Sequence, residues 1–330
     1  MLHGIRLTLL PRGRHLLLFL LALAAMMART AATPAATIVN DTWQDGTDGD
    51  PASPAYSEMG VDSDADGDLE SVWFQGGVGS LDPVGTGGPL RGNMTSGGTS
   101  SATWTTYFTP EATPVALNNV GDQMKLTWTF RLTNVNSTNT SQNFRIAVLD
   151  SPSASRISAN GSPGSAAYTG YGLFANMGQT LGNSNPFQLR ERVVASGDLL
   201  STSGNWGADG VANTGLANGA TNAATGYAAN TPYTLTMTFT RTGASALKVD
   251  ASMVGGSLNN SGTASVSVVD ASPNGFQFDT FALRPSGATS TAELFDTSLF
   301  RVEFNPVPEP TAGLLVLVGM AMAALRRRAK

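Results

Sequence analysis

The residues MKLTWTFRL, 124 to 132, alternate without a break: Met124, Leu126, Trp128, Phe130 and Leu132 face one way, and Lys125, Thr127, Thr129 and Arg131 the other. A period of two over nine residues is a strand with one face in a core and one in water. The pattern returns in YTLTMTFT (233 to 240), in Leu247, Val249, Ala251 and Met253, in Phe276 and Phe278, and in Phe300, Val302 and Phe304. Shorter strand candidates are SATWTTYF (101 to 108), NFRIAVLD (143 to 150), TGYGLFANM (169 to 177) and FQLRERVV (187 to 194). No stretch of the body sustains a helical period, and turn residues fill the gaps. The expectation is an all-β chain, an antiparallel sandwich with long Gly/Ser/Asn-rich loops at 75 to 100 and 195 to 230.

The two ends do not follow this pattern. Arg6, Arg12 and Arg14 precede the apolar LLLFLLALAAMMA (16 to 28), and the small residues Thr30, Ala31 and Ala32 follow. A charged region, an apolar run and a small-residue site make residues 1–32 a secretory signal peptide. At the other end, Thr311 to Leu325 form a 15-residue apolar run before Arg326, Arg327, Arg328 and Lys330. That run is short against the roughly 20 residues that span a bilayer comfortably, and the basic cluster sits where cytoplasmic residues belong.

The order Pro308-Glu309-Pro310, apolar segment, arginine cluster resembles the PEP-CTERM sorting signal of exported Gram-negative bacterial proteins. The resemblance covers residues 305–330. It implies a transient membrane anchor, processing by an exosortase-type protease, and delivery of the body, residues 33–304, to the cell surface or extracellular matrix.

Setting the end segments aside changes the charge. Between Asp41 and Glu309 lie all 24 acidic residues but only 11 of the 19 basic ones, a net charge near −13. Such a surface repels nucleic acid. His3 and His15, the only histidines, fall in the signal peptide, and cysteine is absent. The body therefore has no imidazole or thiol, which excludes Ser-His-Asp and Cys-His catalysis and His/Cys zinc sites.

Three features remain that carry chemistry. The segment from Asp41 to Glu70 holds ten carboxylates and no basic residue, and within it DSDADGDLE (62 to 70) matches the opening of an EF-hand loop. Asp62, Asp64, Asp66 and Asp68 are candidate ligands of a calcium ion, a hard cation that takes alternating oxygens. The bidentate glutamate expected at position twelve is instead Trp73, so an irregular calcium loop is the reading, set against a solvated acidic loop. Trp206, in SGNWGADG, is the tryptophan expected to be exposed for sugar stacking, against the alternative that it caps the core. Glu191 stands on the face of Phe187, Leu189 and Val193, opposite Arg190 and Arg192. It is a candidate ligand-binding residue; as a glycosidase carboxylate it lacks a second carboxylate that the sequence places near it, and an edge or concave-face position or an ion pair with Arg145 or Arg284 explains it otherwise.

The phrases NDTWQDG, LESVWFQGG, FRIAVLDS, YTGYG, FQLRERV, RTG, FDTFAL and FRVEF resemble the bodies of PEP-CTERM proteins similar to concanavalin A-like, laminin-G-like jelly rolls. This implies a jelly-roll body that is structural or carbohydrate-binding, with extracellular polysaccharide as partner. The alternative is a polysaccharide-active hydrolase or lyase on the same fold.

Overall fold

The computed structural model describes residues 35–51, 56–164, 167–194, 199–200 and 203–307. The sorting-signal residues Pro308, Glu309, Pro310, Arg326, Arg327 and Arg328 lie outside them, as does the signal peptide. Among the described residues no helix is long and apolar enough to cross a membrane.

The strongly alternating segments assemble side by side. Gln123–Thr133 pairs with Pro232–Gly243 on one edge and Leu294–Asn305 on the other. Ala246–Val254 and Thr263–Asp270 extend the sheet beyond Pro232–Gly243. Leu90–Asn93, Ser80–Pro83 and Ala36–Asp41 complete eight antiparallel strands around Leu294–Asn305. Phe130, Leu126, Leu235, Met237 and Val249 point inward and are fully buried. The opposite face is a lawn of threonine and serine, with the hydroxyls of Thr129 and Thr234 bonded across strands at 3.0 Å.

The second sheet has nine strands. Its central order runs Phe187–Arg192, Thr169–Ala175, Phe144–Asp150, Thr280–Pro285, Ala102–Tyr107, Trp73–Gly77, all antiparallel. Short strands at Trp206–Ala208, Val211–Ala212 and Ala217–Asn218 add to the Phe187–Arg192 edge. Segments 75–100 and 195–230, expected as loops, therefore contribute strands to both sheets. They are two to five residues long, too short to display a period.

Between the sheets Trp128 stacks on Phe130 at 3.9 Å and lies parallel to Phe144 of the other sheet at 6.0 Å. Aromatic pairs of this kind add to plain area burial, so this stack ties the two layers together. Part of the outer face of the nine-stranded sheet is apolar as well: Phe74, Tyr107, Ala147, Leu149, Phe174 and Ala282 form a second cluster under Tyr168, Leu199, Leu200 and Trp206. Covered on both faces, strands such as Ala102–Tyr107 are buried at every position. That is why their sequences alternate weakly. The cover is fastened by Arg156, whose guanidinium meets the Asp279 carboxylate at 2.8 Å and donates to the Thr109 carbonyl at 2.8 Å.

Candidate functional site

The acidic segment is tied to the edge of the eight-stranded sheet at its end, where Asp68 and Glu70 are buried, while Asp62 and Asp64 remain exposed. Asn40 and Leu69 exchange backbone hydrogen bonds at 2.8 and 3.3 Å, Ser57 bridges Ser71, and the Trp73 amide donates to the Asp48 carbonyl at 2.8 Å. These clamps fold residues 45 to 50 and 56 to 58 back over 62 to 70. Their effect is to gather carboxylates that are far apart in sequence.

Three groups result, in each of which carboxylate oxygens lie within 4.8 Å of one another: Asp45, Asp66 and Glu70; Asp50, Asp64 and Glu70; Glu58, Asp62 and Asp64. Glu70 belongs to two of them and Asp64 to two. The 62 to 68 turn is built by its own side chains. Asp62 accepts from the amides of Ala65 and Gly67 at 2.6 and 3.2 Å, and Gly67 adopts φ 106°, which disfavours other residues. Asp68 turns away, accepting from the Thr42 amide and hydroxyl at 2.6 and 2.8 Å.

Asp62, Asp64, Asp66 and Asp68, the sequence-based candidates, thus do not converge on a common point. Asp62, Asp64 and Asp66 each join carboxylates from elsewhere in the segment, and Asp68 joins none of the three groups. Asp45, Asp50, Glu58 and Glu70 were not singled out in the sequence. The signal that held them was the count of ten carboxylates without a cation between Asp41 and Glu70.

Electrostatically the cluster lacks a positive partner. Glu70 is 3 % exposed and its Oε2 has no hydrogen-bond donor; the same holds for Asp66 Oδ2 and Asp68 Oδ1. Burial, then the charges of Asp45, Asp66, Asp50 and Asp41, push Glu70 up to about 9. Asp66 rises to about 6, chiefly by desolvation and despite an amide bond from Asp68. A buried carboxylate without a partner costs on the order of several kcal/mol, which a cation bound among these oxygens would offset. The donor set is all oxygen, with no imidazole or thiol, and several carboxylates sit on bends outside regular strands. That set fits the six to eight hard ligands of calcium better than the rigid octahedron of magnesium.

Beside the cluster lies an open depression of about 390 Å³ lined by Thr37, Asn40, Asp62, Asp68 and Arg301. Arg301 donates to Asn40 Oδ1 at 2.6 Å, leaving a rim of amide, carboxylate, hydroxyl and guanidinium groups. Such a recess offers paired donors and acceptors to a polyhydroxylated molecule.

Trp206 is placed otherwise than expected. It is fully buried, packed on Phe174 at 5.6 Å with the Arg192 guanidinium 5.5 Å from its ring. Gly172 makes room for it, because a Cβ there would lie 2.6 Å from the indole. The exposed platform is corrected to a cover for the outer sheet face. All five tryptophans, Trp43, Trp73, Trp104, Trp128 and Trp206, are buried.

Glu191 is on the inner face, as alternation placed it, 1 % exposed, and accepts from the Asn274 amide at 2.7 Å. Arg145 and Arg284 project from the other face of the sheet, so neither pairs with it. Desolvation, with repulsion from Asp270 and Asp209, raises Glu191 to about 7.

No known family model matches the sequence, and no curated protein matches it. Among solved structures the chain is similar to the VIP36 exoplasmic/lumenal domain in its Ca2+/Man2-bound form, at 13% identity and TM-score 0.45 over 78% of this chain and 90% of that one. It is also similar to the Emp46p carbohydrate recognition domain in its potassium-bound form, at 13% identity and TM-score 0.42 over 72% and 89%. Peanut lectin is similar at 8% identity and TM-score 0.38 over 70% and 90%.

Proposed function

We propose that the body of this chain is a non-enzymatic, carbohydrate-binding jelly-roll module, exported to the cell surface or exopolysaccharide matrix, whose acidic loops hold calcium beside a glycan-binding recess. The observation that carries the reading is Glu70: a buried carboxylate with an unpartnered oxygen, shared by two carboxylate groups, in a segment without a cation. Asp45, Asp66 and Glu70 would hold the ion, with Asp50 and Asp64 grouped with the same Glu70. Calcium would offset two of the cluster's negative charges and fix the 62 to 70 turn, and with it the Asp62 and Asp68 rim of the recess. Thr37, Asn40 and Arg301 would complete the hydrogen bonding to sugar hydroxyls.

The N-terminal segment supports export, and the tail supports transient anchoring followed by exosortase processing. Mass spectrometry of the secreted protein checks this part, with a mature C-terminus upstream of Thr311 expected. A full-length, surface-retained product would contradict it.

The binding reading is tested by retention of the full chain on a panel of immobilised polysaccharides, with calcium and with chelator. Retention on at least one glycan, lost on chelation and restored by calcium, is expected. Equal passage through every column under both conditions would leave a purely structural matrix role in its place.

A further inference from the structure

The outer face of the nine-stranded sheet carries charges that the calcium reading does not use. In register, Arg145 stands directly across from Arg284 on one side and from Phe174 on the other. The guanidinium groups of Arg145 and Arg190 lie 5.0 and 4.9 Å from the centre of the Phe174 ring. Three cations are thereby gathered on neighbouring strands, and like charges directly opposite one another destabilise a sheet.

Two of them have backbone or amide acceptors. Arg190 donates to Gln188 Oε1 at 3.0 and 2.7 Å and to the Trp206 carbonyl at 3.3 Å, and Arg145 donates to the Leu200 carbonyl. The Arg284 side chain makes no hydrogen bond or ion pair among the described residues. No described carboxylate pairs with any of the three. Arg145 is lowered to about 10, first by burial and then by Arg284 and Arg190, so the crowding is felt.

Scarcity of acids does not explain this, since carboxylates outnumber cations 24 to 11 between Asp41 and Glu309. In the other sheet Arg91 meets Asp296 at 2.6 Å, Lys125 meets Glu303 at 3.3 Å and Lys248 meets Asp250 at 2.9 Å, while Arg241 and Arg301 rest on carbonyl or amide oxygens. Arg145 and Arg284 are only partly buried, whereas Arg190 is 7 % exposed. Guanidinium forks side by side suit a bidentate oxyanion such as a carboxylate or sulfate.

We propose that Arg145, Arg190 and Arg284 form a second binding site, for the carboxylate or sulfate groups of an acidic polysaccharide. Two partly exposed cations, Arg145 and Arg284, with the buried charge of Arg190 behind them, fit isolated anionic groups spaced along a glycan, rather than the continuous phosphate track of a nucleic acid, which the net charge repels. Phe174 backs the site as a rigid surface on which two of the guanidinium groups rest. The proposal rests on the carbohydrate-binding reading only in taking the ligand to be a glycan, and the calcium cluster plays no part in it.

The test is calorimetric titration of the full chain, in chelator and about 0.15 M salt, with uronate-bearing octasaccharides of hyaluronan and galacturonan type and with their carboxyl-reduced counterparts. Acid-dependent binding by at least one pair, about tenfold or more tighter than its reduced form, is expected. Arg284→Gln should weaken it about tenfold or more, and Arg284→Lys less, with melting temperature held within about 2 °C in both. Equal binding of acidic and reduced forms, no binding by either, or full affinity in Arg284→Gln would overturn the site. Glucuronate monomer or inorganic sulfate binding as tightly as the octasaccharide would overturn the polysaccharide as its source. Acid-dependent binding alongside failed calcium-dependent retention would support this site and sink the other reading.

Discussion

The two sheets solve the same problem in different ways. The eight-stranded sheet buries one face and leaves a hydroxyl lawn in water, so Gln123–Thr133 is alternately buried and accessible along nearly its whole length. The nine-stranded sheet is buried on one face by the shared core and over part of the other by a cover of Tyr168, Leu199, Leu200 and Trp206. The difference teaches that the inner core makes the fold while the cover decides what the second sheet can present. A cover built from short strands and turns lacks the ladder of long strands that holds the eight-stranded sheet. It should therefore open more easily than the core beneath it.

The largest effect is expected at the layer shared by both sheets. Trp128→Ala removes the stack on Phe130 and Phe144 and orphans the Thr297 hydroxyl that accepts from its indole at 3.1 Å. A loss of about 4 to 5 kcal/mol, read from urea midpoints, is expected. Trp206→Ala tests the cover: a loss of about 2 to 3 kcal/mol, with hydrogen exchange speeding in residues 203 to 212 while strand 124 to 132 stays protected. Equal losses and equal exchange in the two variants would break the distinction between core and cover.

A smaller and pH-dependent effect sharpens it at the edge. Glu191 carries a folded-state value near 7 against an ordinary 4.5, so the folded protein holds a proton that the unfolded chain releases. Stability from this group is therefore lost as pH rises from about 4.5 to about 7 and is flat beyond. Glu191→Gln keeps an acceptor for the Asn274 amide and should remove that slope. The variant should gain about 2 kcal/mol over the parent at pH 8 and little at pH 4. Parallel pH profiles for the two proteins would contradict the burial argument.

Much of the sandwich was legible because one-sided burial writes a period of two. The strands at 124 to 132, 233 to 240 and 247 to 253 were read from that period, and the face of Glu191 from the same rule. Trp206 was misplaced because a tryptophan flanked by Gly and Asn has no local apolar neighbours. Its partners, Phe174 and the space above Gly172, arrive through strand pairing from 32 and 34 residues away. The acidic site was half legible. A local motif pointed to Asp62, Asp64 and Asp66, but Asp45, Asp50 and Glu70 enter through the Asn40–Leu69 and Trp73–Asp48 clamps, long-range pairings that no spacing rule encodes. Glu70, at the end of the motif, mattered more than Asp68 within it.

The account stands most directly on calcium at this cluster. The measurement is calorimetric titration of calcium into the chelator-treated full chain and into Glu70→Gln, with circular dichroism to confirm that both are folded. Saturable binding is predicted in the parent, weakened about tenfold or more in Glu70→Gln. Absence of binding in the folded parent, or equal affinity in the variant, would contradict it.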